Sequence, residues 1–398
     1  MRIATAHAYD TSLEALTKRQ RELSDAQLQL TTGKRVNRAS DDPAAAAQAE
    51  RALSKATRAD AGQRAAESSR NMMTFTESAL GDAGELLQQA REALVASGNA
   101  TYSDTERLGV AQRIEALRTQ LLAVANRSDG STGFLFGGQG SSQPPFVDTS
   151  GGVQFRGTAG QVSAAGEDRL PLSADGRSVW LAARTGNGVF ETRAATSTGT
   201  AFIDAGQVTQ PSALTGSGYS IQFSINAGVT TYSVLQDGVA TAQTDLPYTS
   251  GKAIEIDGMS VTVQGAPAAG DEFQMLPATS TQSVFDLLDR TVASLKTPGR
   301  GGAQIAQSNS NDLRDIDSVL GQLLSSRAMV GDTLNRIDGV SSRLETVKLQ
   351  ASVERSNAED LDMVHAISEF QNQQTGYDAA LKSYSMVQRM SLFQYLNV

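Results

Sequence analysis

Leu313-Arg314-Asp315-Ile316-Asp317-Ser318-Val319-Leu320-Gly321-Gln322-Leu323 opens the stretch that decides the fold. From Leu313, the residues Ile316, Leu320, Leu323, Arg327, Val330, Leu334, Ile337, Ser341 and Leu344 follow at alternating spacings of three and four. Residues so spaced share one face of an α-helix, and several such heptads in succession predict a coiled coil or a long bundle helix. Arg327, the charged member, is expected to snorkel to solvent or pair with a nearby acid. Beyond Leu344 the same phase meets Lys348, Arg355, Asp362 and His365, so the seam fades. A second stripe takes over at Phe370, Gln374, Tyr377, Leu381 and Tyr384, and the chain closes on the apolar Leu392-Phe393-Gln394-Tyr395-Leu396.

The first 130 or so residues share this texture, rich in Ala, Gln, Glu, Arg and Leu. Leu13, Leu16, Gln20, Leu23, Gln27 and Leu30 form a heptad stripe with polar interruptions, long enough for a helix but weak as a core. It stops at Thr32-Gly33, where Gly33 suits a left-handed cap. Asp42 followed by Pro43 and four alanines is a start signal, with Asp42 as N-cap and proline at the first helical position. That helix runs toward Ser97-Gly98-Asn99. Ser103-Asp104-Thr105-Glu106 then reads as a capping box opening another.

Between the helical zones, residues from about 131 to 280 are rich in Gly, Thr, Ser and Val and hold most of the prolines. Tyr219, Ile221, Phe223 and Ile225 share one face of a period-two segment, and Tyr232 and Val234 belong to the next, across Asn226-Ala227-Gly228. Residues 253–256, then Asp257-Gly258, then Met259, Val261 and Val263 read as a second hairpin. The fold class expected is α+β. N- and C-terminal helices form a coiled coil and helical bundle, with an antiparallel β domain inserted between them.

Composition narrows the chemistry. With 34 basic and 43 acidic residues, the net charge of -9 gives no global field for nucleic acid or anionic lipid. Cysteine is absent, so disulfides, thiolate metal sites and cysteine nucleophiles are excluded. His7 and His365, the two histidines, lie near opposite ends and support neither a metal site nor a Ser/His/Asp arrangement. No catalytic residue, cofactor or metal is expected. Ala269-Gly270-Asp271-Glu272-Phe273 resembles a cyclase signature but lacks its second glycine, and is expected to close a turn with Phe273 packed inward. Gly33-Lys34 fails as a P-loop, because Leu28 stands where glycine is needed and Arg35 where Ser or Thr is needed. Gly186-Asn187-Gly188 and Gly137-Gly138-Gln139-Gly140 read as turns. No stretch is long and apolar enough to span a membrane, and the N-terminus lacks the apolar run of a cleaved signal.

The ends need a cover. A half-polar N-terminal helix and an apolar C-terminal tail each fold poorly alone. Both are buried if they pair, or if neighbouring subunits supply the remaining surface.

Thr32-Gly33-Lys34-Arg35-Val36-Asn37-Arg38-Ala39-Ser40-Asp41-Asp42-Pro43-Ala44-Ala45 resembles the N-terminal signature of the bacterial flagellin superfamily. Its form is closer to the hook-associated members than to filament flagellins. Gly133-Phe134-Leu135-Phe136-Gly137-Gly138, followed by Pro144-Pro145-Phe146, is similar to the way those members leave their helices. The ending, from Tyr384 through Ser391-Leu392-Phe393-Gln394-Tyr395-Leu396, is similar to their C-terminus. Residues 256–263 and 265–273 are similar to a β segment of several hook-associated proteins.

The resemblance implies three zones. Residues 1–40 with 358–398 would form an inner coiled coil, 41–146 with 280–357 a helical bundle, and 147–279 an outward-projecting β-rich domain. The assembly interface would be carried by Leu13, Leu16, Leu23, Leu30, Phe370, Tyr377, Leu381, Tyr384, Leu392, Phe393, Tyr395 and Leu396. Gly33, Lys34, Arg35, Asp41, Asp42 and Pro43 would form the signature loop and cap. It further implies a non-enzymatic adapter of the hook–filament junction that forms a ring with copies of itself, on hook-associated protein 1 and beneath flagellin. Export through the flagellar apparatus would need no cleaved signal, with an export chaperone covering the C-terminal helix. It implies no nucleic acid and no membrane insertion. Filament flagellin is the nearest rival reading; an adhesin or carbohydrate-binding module on the β domain is a rival of another class.

Overall fold

In a computed structural model, residues 2–99, 101–131, 133–164 and 168–396 are described, with residues 2–9 and 387–396 described by their backbone alone. The chain runs through α1 (Arg2–Thr32), α2 (Pro43–Ser97) and α3 (Asp104–Ala125), then strands β1 (Phe146–Thr149) and β2 (Gly152–Phe155) and a short α4 (Gly176–Trp180). Ten strands follow: β3 (Phe190–Thr196), β4 (Phe202–Ile203), β5 (Gln207–Val208), β6 (Tyr219–Asn226), β7 (Val229–Gln236), β8 (Val239–Ala240), β9 (Leu246–Pro247), β10 (Ala253–Ile256), β11 (Met259–Gln264) and β12 (Glu272–Pro277). Helices α5 (Val284–Lys296), α6 (Gly302–Glu359) and α7 (Met363–Leu396) return. Helices flank an antiparallel β insert, as the residue texture predicts. The residues cluster into two compact units, Met1–Arg64 with Val340–Val398, and Ala65–Gly339, so α2 and α6 each contribute to both.

Local signals set the helix ends. Ser103 Oγ accepts the Glu106 N–H while the Glu106 carboxylate takes the Ser103 N–H at 2.6 Å, a complete capping box at the start of α3. Deleting such a cap costs about 1 kcal/mol. Asp42 Oδ1 accepts the Ala45 N–H at 3.0 Å at the start of α2.

The α6 seam differs from its expected course. Ile316, Leu323, Val330 and Ile337 are buried as the spacing requires, and Ala351 and Ala358 continue the same seven-residue phase, with Val340 buried beside it. Arg327 is exposed and pairs with Glu77 at 2.6 Å. The seam does not fade after Leu344; it continues on alanines, which a search for large apolar residues passes over. Where charge does interrupt, the helix stops at Glu359, and a new one begins at Met363. Asp362 caps it, accepting the Val364 and His365 N–H groups at 3.0 and 3.2 Å. His365, exposed, therefore stands in the first turn of α7 and not inside one continuous helix.

In the first unit, α2 and α6 run antiparallel, pairing Lys55 with Glu354 at 3.3 Å and Lys348 with Asp60 at 2.7 Å. In the second, α3 packs on α5. Arg118 of α3 ties both neighbours, reaching Asp148 of β1 at 2.6 Å and Asp289 of α5 at 2.6 Å. Trp180 is fully buried, edge-on to Phe136 at 5.3 Å and stacked on Phe285 of α5 at 6.0 Å.

The β module has its own core. Phe190, Ile203, Tyr219, Ile221, Phe223, Val234, Ile254, Val261, Phe273 and Met275 are among its buried cluster, which contains no helical residue. One sheet has the order β3-β12-β6-β7-β8, with β9 on β7; a smaller one has the order β10-β11-β4, with β5 on β11. Registers place Phe223 opposite Tyr232 and Ile221 opposite Val234, while Ile225 runs out to the exposed tip. The predicted Asp257-Gly258 turn has φ of 43° and 77°, the left-handed pair a two-residue hairpin needs. A Cβ on Gly258 would lie 2.2 Å from the Gln210 carbonyl oxygen, so glycine is required there twice over. Asp271 closes its turn with a buried carboxylate that accepts the N–H groups of Thr198, Gly199 and Ala268 at 2.7 to 3.1 Å. Burial pushes this carboxyl up, but those donors outweigh it and hold it below the usual carboxylate range. Phe273 packs inward, as expected.

Candidate assembly region

Helices α1 and α7 pack against one another. The Leu361 N–H donates to the Gly33 carbonyl at 3.0 Å, and the Arg19 guanidinium lies over Gly376, where a Cβ would come within 2.6 Å of it. Fourteen residues back along α1 thus match fifteen forward along α7, so the two helices are antiparallel.

The inner faces of the pair are only half closed. On α7, Ala366, Phe370, Gln373, Tyr377, Ala380 and Tyr384 are half-buried at spacings of four and three, and on α1 so are Leu16, Leu23, Ala26 and Leu30. Six of the expected interface residues therefore share the closed stripe. Leu13 and Leu381 do not: they are 44% and 39% exposed, at matching levels of the pair. Leu28, Met363, Val364, Ile367 and Met386 are exposed as well. Leu392, Phe393, Tyr395 and Leu396 lie in α7, but their side chains fall outside the described residues.

The signature loop is a knuckle where both chain segments break at one level. Gly33, at φ 69°, ends α1, and its N–H returns to the Gln29 carbonyl at 2.8 Å. Lys34 then bridges Asp360 as a single antiparallel pair, and the Arg35 N–H reaches the Glu359 carbonyl at 2.7 Å. The side chains repeat the link. Lys34 Nζ meets Glu359 Oε1 at 3.1 Å, and Arg35 donates both to the Ala358 carbonyl at 2.9 Å and to Asp42 Oδ2 at 3.0 Å. Asp41 accepts the Asn37 and Arg38 N–H groups at 3.1 and 2.8 Å, folding the loop onto itself. The Ala45 N–H, with Arg35 after it, holds the Asp42 carboxyl below its ordinary range. Val36 is the buried apolar peg of this turn. Gly33, Lys34, Arg35, Asp41 and Asp42 thus each make a contact that holds this turn together.

Sequence reasoning missed Glu359, which takes both Lys34 and Arg355, and Asp362, the cap of α7. An Asp before a helical stripe is a readable signal for the second; the first answers a residue 325 positions away and has no local sign. Among the described residues no group of three or more His, Cys, Asp or Glu side chains is placed to hold a metal, and no helix is long and apolar enough to cross a membrane.

Comparisons with known proteins agree with this layout. The bacterial flagellin N-terminal helical region matches residues 3–141, and the bacterial flagellin C-terminal helical region matches residues 313–396. The chain is similar to flagellar hook-associated protein 3 of Salmonella typhimurium, at 25% identity over 99% of each chain. Among solved structures it is similar to hook-associated protein 3 from Legionella pneumophila, with a TM-score of 0.71 and 27% identity over 76% of this chain and 97% of that one. It is also similar to FlgL of Xanthomonas campestris, with a TM-score of 0.67 and 29% identity over 76% of this chain and 99% of that one.

Proposed function

We propose, from the premise that this chain belongs to the bacterial flagellin superfamily, that it is a structural subunit joining hook to filament in the extracellular flagellum. The observation that carries the reading is the unfinished surface of the α1–α7 pair, where Leu13, Leu28, Val364, Ile367 and Leu381 stay exposed after the helices have paired. Copies of the chain cover these residues by assembling as a ring, and the apolar burial offsets the ordering cost of the ends. The inner zone is 1–40 with 358–398, the bundle 41–146 with 280–357, and residues 147–279 project outward. Hook-associated protein 1 lies on one side of the ring and flagellin on the other. Before assembly an export chaperone covers the C-terminal helix, and the chain leaves the cell with its N-terminus uncleaved.

Similarity to hook-associated protein 3 along the full chain, β insert included, favours the junction over the filament. A chain ending at Tyr384 tests the reading in cells lacking the protein. It should fold as a soluble monomer yet leave hooks that shed flagellin into the medium. Filament growth on that truncated chain would overturn the account of the ends.

A further inference from the structure

The buried apolar cluster of the β module contains no helical residue, so that core does not itself reach into α6. The fastening is a polar stripe on α6. Gln307, Asn311, Arg314, Ser318 and Gln322 follow at spacings of four, three, four and four, beside the apolar seam, and none of them is exposed.

What these side chains bind is almost all main chain. Gln307 forms a two-bond clasp on one residue of β4, accepting the Ile203 N–H at 2.7 Å and donating to the Ile203 carbonyl at 3.0 Å. Asn311 Oδ1 accepts from Gln307 Nε2 at 3.1 Å and so orients the clasp. Arg314 donates to the carbonyl and hydroxyl of Thr192 on β3, at 3.2 and 3.0 Å. Ser318 donates to the Arg184 carbonyl at 2.5 Å, and Gln322 to the Ser178 carbonyl at 3.0 Å.

The one charge in the stripe is settled on the helical side. Arg314 Nε and Nη2 rest on Asp315 Oδ1 at 3.1 and 3.0 Å, and the other Asp315 oxygen takes Arg290 of α5 at 2.5 Å. Arg314 and Asp315 are both buried. A buried pair satisfied this way leaves the remaining guanidinium N–H free to act as a fixed donor.

We propose that this stripe is a docking surface for the backbone of the inserted segment, fixing the β module on α6 through carbonyl and amide groups that any residues there would present. Its partner is a peptide main chain, and four of the five stripe residues reach it directly. Apart from the Thr192 hydroxyl, the stripe asks nothing of the module's side chains.

Amide hydrogen exchange on the full chain tests this. In Gln307→Leu the Ile203 amide should exchange at least about tenfold faster, the worth of roughly one hydrogen bond. The Ile221 and Val234 amides inside the β6–β7 pair should keep their rates. A paired change, Arg314→Met with Asp315→Leu, removes the second clamp without stranding a buried charge, and should add to the effect at Ile203. On the insert side, Ser178→Ala and Arg184→Ala should leave every one of these rates within about twofold. The proposal is overturned if Ile203 stays protected in Gln307→Leu, or if the insert-side changes loosen it as much as the stripe changes do.

Discussion

Phe223 and Leu13 are both large apolar residues in regular secondary structure, yet one is 1% exposed and the other 44%. The β module that holds Phe223 is finished: two sheets, a buried cluster and a capped turn at Asp271 close on themselves. The α1–α7 pair that holds Leu13 is not, because two helices cannot enclose an apolar stripe from all sides. A region whose core is complete needs no partner, whereas one that stops half closed implies a partner to complete it. That asymmetry, more than any single motif, separates the self-contained part of the molecule from the part left open.

The comparison breaks first at the finished side. Phe273→Ala removes a fully buried ring and should cost about 3 to 5 kcal/mol, read as a lower denaturant midpoint for the transition that reports the β module. A cost under about 1 kcal/mol would mean the module's core is no more closed than the terminal pair.

A middle case is Asp312 of α6, buried with Arg290 at 4.0 Å. Burial raises its carboxyl from an ordinary 3.8 to about 6, with Arg290 opposing and Asp315 adding to the rise. The folded state therefore holds a proton that the unfolded chain releases, and stability falls as pH climbs from about 4 to about 6. Asp312→Asn should raise stability at pH 8 by about 3 kcal/mol and flatten that slope, since each unit is worth about 1.4 kcal/mol. Denaturation series at pH 4.5 and pH 8 read it; an unchanged slope would remove Asp312 as its source.

The smallest effect on the monomer falls on the unfinished side. Leu13→Asp and Leu381→Asp should each shift its stability by no more than about 0.5 kcal/mol, as exposed positions do. Incorporation into flagella, followed by microscopy of filament-bearing hooks, should nonetheless fail. A large loss of monomer stability would show that these leucines belong to the closed stripe after all.

Local chemistry was legible in the sequence. Gly33, Asp42-Pro43, Ser103 with Glu106, and Asp257-Gly258 each act on groups within a few residues, so their spacing alone announces them. The continuation of the α6 seam through Ala351 and Ala358 was not, because alanine contributes little to any count of apolar bulk. The break at 360–362 hid in the same place: fading periodicity looked like a weak seam when it was the end of a helix. The polar stripe from Gln307 to Gln322 left no trace, since it answers carbonyls more than a hundred residues away and carbonyls have no letter. Leu16, Leu23, Leu30, Phe370, Tyr377 and Tyr384 could be placed on stripes by spacing. That Leu13 and Leu381 would fall outside the closed face needed the register of two helices, which no single stretch encodes.

The pairings also share an order along the chain. Asn226 meets Val229, Ala183 meets Gln282, Glu115 meets Lys296, Lys55 meets Glu354 and Gly33 meets Leu361, each enclosing the one before. These five pairings nest one inside another, although Gln307 with Ile203 and Ser69 with Pro171 cross them. Lys55 and Glu354 are 299 positions apart, yet once the inner pairs exist their meeting closes only the short remainder. The terminal pair encloses the other four, so under the proposed assembly the segment that binds neighbours is also the one whose release leaves the inner pairings intact.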